Sequence, residues 1–250
     1  MKITGTYSSG KRTDGRRGAQ CVVLCALLLA ASARSDAGDH RFTVLLKGNL
    51  TTSSQLFLNP DAADIIAQTQ SLALTDFFGI GAEVKYRLPE TNIALGISAD
   101  YIRARATSSI LAFPRRSIPT EDGYTVIPVE FTGYFIIPFS GETFGVYMGG
   151  GGGFYFGYRR YRLGDTEAPV VSKKPGFGIH VLGGVSVRFW GPLEADFEMK
   201  FRDLQFESEN AFPSSPVRYN GTVINVSTKP FKSRTQTDGI VFQLALAFNF

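Results

Sequence analysis

Cysteine is nearly absent from this chain of 250 residues, and what little there is excludes chemistry rather than implying it. The only two, Cys21 and Cys25, lie close to the N-terminus. Beyond residue 25 there is no sulfur for a disulfide framework or a thiolate metal site. Histidine is almost as scarce. His40 and His180 are the only two, so no histidine-rich metal centre is expected. Long apolar runs are missing as well: no stretch of about 18 apolar residues occurs, which excludes a membrane-spanning helix. A membrane β-barrel escapes that test, because its strands are apolar only at alternate positions.

The N-terminal segment has a distinct design. Lys2, Lys11, Arg12, Arg16 and Arg17 precede an apolar run over residues 21–31, which ends in Ala31-Ser32-Ala33. A basic start, a short apolar middle and an A-x-A site are the marks of a secretory signal peptide. Residues 1–33 are therefore expected to be cleaved. Acylation at Cys25 fits poorly, since the bulky Val22-Val23-Leu24 precede it and the apolar run continues beyond it. The signal carries a net charge of +4, with Asp14 its single acid. The whole chain is also +4, so the mature protein is neutral. The basic balance belongs to export, and nucleic acid is not an expected partner.

The remainder, residues 40–250, alternates in polarity with period two, the signature of strands with two unlike faces. Leu193, Ala195, Phe197, Met199 and Phe201 are interleaved with Glu194, Asp196, Glu198, Lys200 and Arg202. A helix would spread those charges around its circumference, whereas a strand gathers them on one side. At the end of the chain, Ile240, Phe242, Leu244, Leu246, Phe248 and Phe250 oppose Val241, Gln243, Ala245, Ala247 and Asn249. Six further segments alternate in the same way, near residues 42–47, 78–87, 92–101, 127–135, 144–156 and 179–189. That makes eight strands.

Their connections alternate strictly between short and long. Three are short and contain proline, at residues 89–91, 138–143 and 191–192. Four are long and polar, at roughly 51–71, 104–123, 160–176 and 205–237. The first long connection carries a short helix signal over residues 61–68, opened by Asn59-Pro60. Tight turns on one side and long loops on the other are the habit of a transmembrane barrel, with the tight turns and both termini periplasmic.

Which face meets lipid follows from the polar faces. In five strands these are mostly Gly, Ala, Ser, Asn and Gln, too small and neutral for an ordinary wet surface. They suit the narrow interior of eight strands. The opposite faces carry aromatics near strand ends, among them Phe42, Tyr86, Tyr101, Tyr124, Phe135, Phe144, Tyr158, Phe189, Trp190 and Phe250. Such residues form interfacial girdles. The expected fold is an all-β, eight-stranded antiparallel up-and-down transmembrane β-barrel.

Together, the alternating last strand ending in Phe250, the glycine-rich segment 147–157, and Gly183-Gly184-Val185-Ser186-Val187 followed by Gly191-Pro192 resemble the small outer-membrane β-barrel family. That family includes the outer membrane protein A, X and W barrel domains. The resemblance covers residues 40–250. It implies an outer-membrane location and contact with outer-membrane lipid and lipopolysaccharide. It also implies assembly by the barrel-assembly machinery, which reads Phe242, Leu244, Leu246, Phe248 and Phe250. A monomer is expected, with no appended peptidoglycan-binding domain. The family's members include stabilisers, adhesins, small-solute channels and a few enzymes, so it leaves activity open.

Each candidate for chemistry has a structural counterpart. Gly149 to Gly153 is no phosphate cradle, because no Lys-Ser/Thr and no helix follow it. Glycine in a strand more often permits bending or close approach. Glu83, Lys85, Arg87, Asp100, Glu130, Arg188, Glu194, Asp196, Glu198, Lys200 and Arg202 are expected to line the interior. They form either a polar path or, preferably, a network of paired charges that fills it. His180 faces inward, yet Ser186, the serine on its face, lies six residues and roughly 20 Å away, so a lipid-modifying hydrolase is disfavoured. Arg115-Arg116, Arg159-Arg160-Tyr161-Arg162 and Lys173-Lys174 are candidates for phosphate contacts at the outer rim. The expected role is structural or adhesin-like through the long outer loops, without catalysis, cofactor or metal. A narrow channel for small or hydrophobic solutes is the alternative.

Overall fold

A computed structural model describes residues 41–250 apart from 65–67, 113–115, 139–142 and 238, with backbone alone at 110–112 and 116. The proposed signal peptide lies outside the described residues. In chain order come β1 (Phe42–Phe57), β2 (Ser71–Arg87), β3 (Ile93–Ala112), β4 (Arg116–Ile136) and β5 (Phe144–Leu163). Two short pieces follow, β6 (Thr166–Ala168) and β7 (Val170–Lys174), then β8 (Gly176–Trp190), β9 (Leu193–Arg202) and β10 (Leu204–Asn210). A small hairpin of β11 (Val217–Tyr219) and β12 (Thr222–Ile224) leads to β13 (Phe231–Thr237) and β14 (Ile240–Asn249).

Eight of these strands close a ring of antiparallel neighbours in the order β1, β2, β3, β4, β5, β8, β9, β14. The seam is the pairing of β14 with β1, from Thr43 opposite Asn249 to Thr51 opposite Val241. The last hydrogen-bonded strand ends at Asn249, one residue short of the expected Phe250. Polarity across the wall is the reverse of a water-soluble protein. On β9, Phe197 and Phe201 are each 47% exposed, whereas Lys200 is 0% and Arg202 3% exposed. The apolar faces of the other strands point outward in the same way, with Phe78, Phe131, Phe177, Ile179 and Leu244 all exposed. An apolar belt of this size around a charged interior requires lipid as its solvent.

Two of the three tight turns lie where the prolines and glycine place them, and residues 139–142 of the third lie outside the described residues. Gly191, at φ +52°, turns between β8 and β9, and Glu90, at φ +55°, turns between β2 and β3. The long connections differ from expectation. Much of 51–71, 104–123, 160–176 and 205–237 is strand, not loop. The β3–β4 ladder runs on to Ala112 opposite Arg116, and the β1–β2 ladder to Phe57 opposite Ser71. Past residues 238–239, β13 prolongs β14 and pairs with β1 and β10, while β10 pairs with β7. A bilayer crossing needs about 9–11 strand residues. Strands of 20 and 21 residues such as β3 and β4 therefore stand about as far beyond the membrane as they reach within it. Out in water both faces are free to be polar, as in Arg103-Ala104-Arg105-Ala106-Thr107-Ser108, so the period-two apolar signal fades while backbone pairing continues. Of the helix expected over 61–68, residues 61–64 are turn and bend. Residues 65–67 lie outside the described residues, Gln68 is helical, and its N–H donates to Asp64 O at 2.9 Å.

The ladder between β2 and β3 stops at Gly79 opposite Ile102. Beyond that level the β1–β2 and β3–β4 hairpins separate. Asp76, at φ +51°, sits where β2 changes face, so that Leu74 and Phe77, three apart, are both buried. The hairpin turn Asn220-Gly221 has positive φ at both residues, the geometry of a type I′ turn.

Close packing inside the wall demands small residues at particular places. A Cβ on Gly157 would stand 2.5–2.7 Å from the Phe206 ring. Gly157→Val is expected to destabilise the barrel by about 1–3 kcal/mol through overpacking, read as a lower urea midpoint in detergent. An unchanged midpoint would show that Phe206 is free to move aside.

Candidate functional site: the barrel lumen

The inward faces of the ring form layers along its axis. Nearest the tight turns, Tyr134, Tyr147, Leu182 and Ala94 pack together, with the two tyrosine rings edge to face at 5.7 Å. Lys85 lies over both rings, 4.4 and 4.9 Å from their centres, and reaches Asp196 at 3.2 Å. Below them is a polar vestibule of about 260 Å³, lined in part by Arg87, Ser186, Arg188, Glu194 and Asn249.

The second layer is the charge network. Four cations (Lys47, Lys85, Lys200, Arg202) meet five carboxylates (Glu83, Asp100, Glu130, Asp196, Glu198) within it. Glu130 is its hub. It binds Arg202 Nε at 2.6 Å and Lys200 at 3.0 Å, and it accepts a hydrogen bond from Tyr155 at 3.2 Å. Arg202 also reaches Asp100 at 3.0 Å. Lys47 bridges Glu83 at 3.1 Å and Asp100 at 3.8 Å. Tyr134 donates a short hydrogen bond to Glu83. Buried ions of both signs at these distances offset one another's desolvation, which neither would survive alone.

A third layer is apolar. Leu56, Leu74, Phe77, Ile102, Tyr124, Tyr155, Leu204 and Phe206 fill the lumen above the charges. Tyr124 belongs here. Expected in the outer aromatic girdle, it points inward and donates to Ser54 Oγ at 2.9 Å, because Tyr124 and Val126 continue the inner face of β4. Higher still, residues of the 211–230 connection fold back over the opening. Phe212 and Val217 pack on Ile118, Leu163 and Ala168, with Tyr161, Tyr219 and Phe231 around them.

Of the residues expected inside, Glu83, Asp100, Glu130, Asp196, Glu198, Lys200 and Arg202 are buried together, with Lys85 and Glu194 partly buried. Arg87 and Arg188 depart from expectation. They lie on the inner face but at the tight-turn rim, where both are exposed to solvent; Arg188 stands 3.9 Å from Glu194. Lys47 was legible by its place on the polar face of β1, yet a single lysine among Thr43, Leu45 and Asn49 does not look like part of a charge network. The basic run 159–162 is divided by strand parity. Arg159 points in and pairs with Asp122 at 2.5 Å, while Arg160 and Arg162 point out toward Glu167. Outside the membrane level, Lys232 donates to Asp61 at 2.7 Å, which holds the Asp61 carboxyl below its ordinary range.

His180 has the neighbours of a hydrolytic triad but not its access. Its Nε2 is 2.9 Å from Thr132 Oγ1 and its Nδ1 is 4.0 Å from Glu130. Glu130 is already committed to Arg202 and Lys200, and all three residues are buried. No substrate carbonyl can approach such a hydroxyl. Among the described residues there is also no group of three or more His, Cys, Asp or Glu side chains placed to hold a metal ion.

A closed eight-stranded ring with lipid-compatible walls, tight turns at one end and tall strands at the other is the architecture of small outer-membrane β-barrels. No protein-family model matches the chain, and no curated protein matches it in sequence. Among solved structures it is similar to the outer membrane protein OprG from Pseudomonas aeruginosa, at 12% identity and TM-score 0.54, over 84% of this chain and 96% of that one. It also overlaps Neisserial surface protein A, at 11% identity and TM-score 0.45, over 84% and 97% of the two chains. A third is outer membrane protein AlkL, at 16% identity and TM-score 0.42, over 87% and 94%. The likeness to OprG, an outer-membrane protein, is one of fold, and the apolar belt gives this chain the surface that an outer-membrane location requires. Identity this low speaks for the fold and not for an activity.

Proposed function

We propose that this is a closed, monomeric barrel of the outer membrane with a structural or adhesin-like role. It acts through what it displays outside, and neither conduction nor catalysis is part of that role. The observation that carries this reading is the dryness of the lumen. Glu130, Lys200 and Tyr155 are all 0% exposed, whereas the walls of a water-filled pore stay wet. Above this plug the strands rise well past the bilayer and carry the 211–230 cap, a rigid stage for contacts at the cell surface. Assembly is proposed to use the barrel-assembly machinery through the Phe242 to Phe250 pattern, with no cofactor.

Purified protein in planar bilayers is expected to show no steady discrete conductance at neutral pH. Steady unitary steps would overturn the closed-barrel reading. One observation favours a channel for hydrophobic solutes instead: the split between β2 and β3 lies beside the apolar Leu74, Phe77, Ile102 and Ala104. Apolar solutes need not carry current, so uptake of an apolar dye into vesicles containing the barrel separates that reading from the closed one.

A further inference from the structure

The outer face of β3, β4 and β5 changes character within one row of residues. Tyr101, Ile127 and Phe156 are 46%, 43% and 52% exposed and apolar. They are outward-facing positions in the lipid belt, and Ile127 pairs directly with Phe156. Two residues further along each strand, Arg103 pairs with Thr125 and Thr125 with Tyr158. Two further again, Arg105 pairs with Gly123 and Gly123 with Arg160. The belt therefore ends abruptly in two rows that carry three arginines. Arg105 and Arg160 flank a glycine and stand two strand spacings apart, about 9–10 Å. Gly123 between them has no side chain to separate the two arginines, and its backbone is buried against that of Ala104.

Two further observations mark this patch as a binding surface. Lys173 from β7 sits 4.4 Å from the centre of the Tyr158 ring, which adds a fourth cation. Thr125 is 3% exposed although it faces outward, and its Oγ1 has no hydrogen-bond partner. A buried hydroxyl without a partner is costly unless something supplies one. Two acids lie beside the patch, Glu121 paired with Arg105 at 2.6 Å and Glu167 shared by Arg160 and Arg162. Its five cations, Arg103, Arg105, Arg160, Arg162 and Lys173, therefore keep an excess of positive charge that a phosphate can meet by displacing these pairs.

We propose that Arg103, Arg105, Thr125, Tyr158, Arg160 and Lys173 form a binding site for the phosphorylated sugar headgroup of an outer-leaflet glycolipid. The acyl chains lie on the Tyr101, Ile127 and Phe156 rows below, and the phosphate sits between the arginines. Guanidinium forks match phosphate oxygens in pairs. A tyrosine at the boundary offers a ring to the lipid and a hydroxyl to the sugar. The site rests on the membrane level set by the belt and not on the closed lumen, so it stands or falls independently of conduction.

The test is binding of diphosphorylated lipid A in nanodiscs to the refolded full chain, with heat-shifted gel migration as the check on folding. The triple variant Arg103→Gln, Arg105→Gln, Arg160→Gln is expected to bind roughly tenfold or more weakly, since several charge-assisted contacts are lost. Dephosphorylated lipid A should bind the wild-type barrel with a similar loss, a comparison that needs no variant to fold. Arg87→Gln with Arg188→Gln removes charge at the opposite rim and should leave affinity within about twofold. Equal affinity of the triple variant, equal affinity for the dephosphorylated glycolipid, or an equal loss in the opposite-rim control would each overturn the proposal.

Discussion

Glu130→Ala is expected to destabilise the barrel by about 3–5 kcal/mol, the cost of stripping one partner from a buried ionic cluster. The carboxylate holds Arg202 and Lys200 and receives the Tyr155 hydroxyl. Without it, Lys200 keeps only Glu198 at 3.6 Å, in a place that water does not reach. Arg202 keeps Asp100, so the damage centres on the lysine. Lys200→Met added to Glu130→Ala is therefore expected to recover part of the loss, because the stranded charge is gone. Equilibrium unfolding in urea from lipid vesicles measures both. A loss below about 1 kcal/mol for the single variant would mean that the interior is wet and the charges are screened.

Phe131→Arg is the second large effect, and it asks which solvent surrounds the wall. Phe131 is 54% exposed on the outer face of β4. In water, replacing an exposed phenylalanine by arginine changes stability by roughly 0.5 kcal/mol or less. In a bilayer, an arginine near the midplane of a barrel costs about 2–4 kcal/mol. The expected result is the larger cost in lipid vesicles, seen as a lower urea midpoint and less of the heat-shifted gel band. A neutral outcome in vesicles would remove the lipid-facing assignment of this belt. Ile118→Arg makes a poor comparison, since Ile118 is buried under the cap; Arg218→Phe, on the exposed cap hairpin, is the proper solvent control.

Much of the transmembrane part was legible because a barrel strand must satisfy two solvents at once. The alternation of Leu193 to Arg202 could be met by one geometry only, and the small polar faces of the other strands indicated which side was inside. The short turns were equally plain, as Gly191-Pro192 cannot continue a ladder. The outward-standing halves of β3 and β4, with β10 and β13, have the composition of loops for a physical reason. In water neither face needs to be apolar, so strand and loop share a composition there, and only long-range pairing such as Gln55 with Gln236 reveals the strand.

The interior shows the same division. Parity alone put Glu83, Asp100, Glu130, Asp196, Glu198, Lys200 and Arg202 on one face. Whether they paired, and with whom, depended on register between strands up to 111 residues apart, as for Asp196 and Lys85. Lys47 joined the cluster, and Arg87 and Arg188 fell at the rim, because height along the barrel axis decides burial and a strand pattern carries no height. Tyr124 was misplaced for the same reason: an aromatic near a strand end looks like a girdle residue until the strand proves to continue. The sequence by itself determined the class of wall, its two solvents and its tight turns, since these are local consequences of period and polarity. Only the tertiary structure decided that the lumen is packed in layers and capped, and that Arg105 of β3 and Arg160 of β5 flank Gly123. Those contacts join residues distant in the chain, and their geometry exists only once the ring has closed.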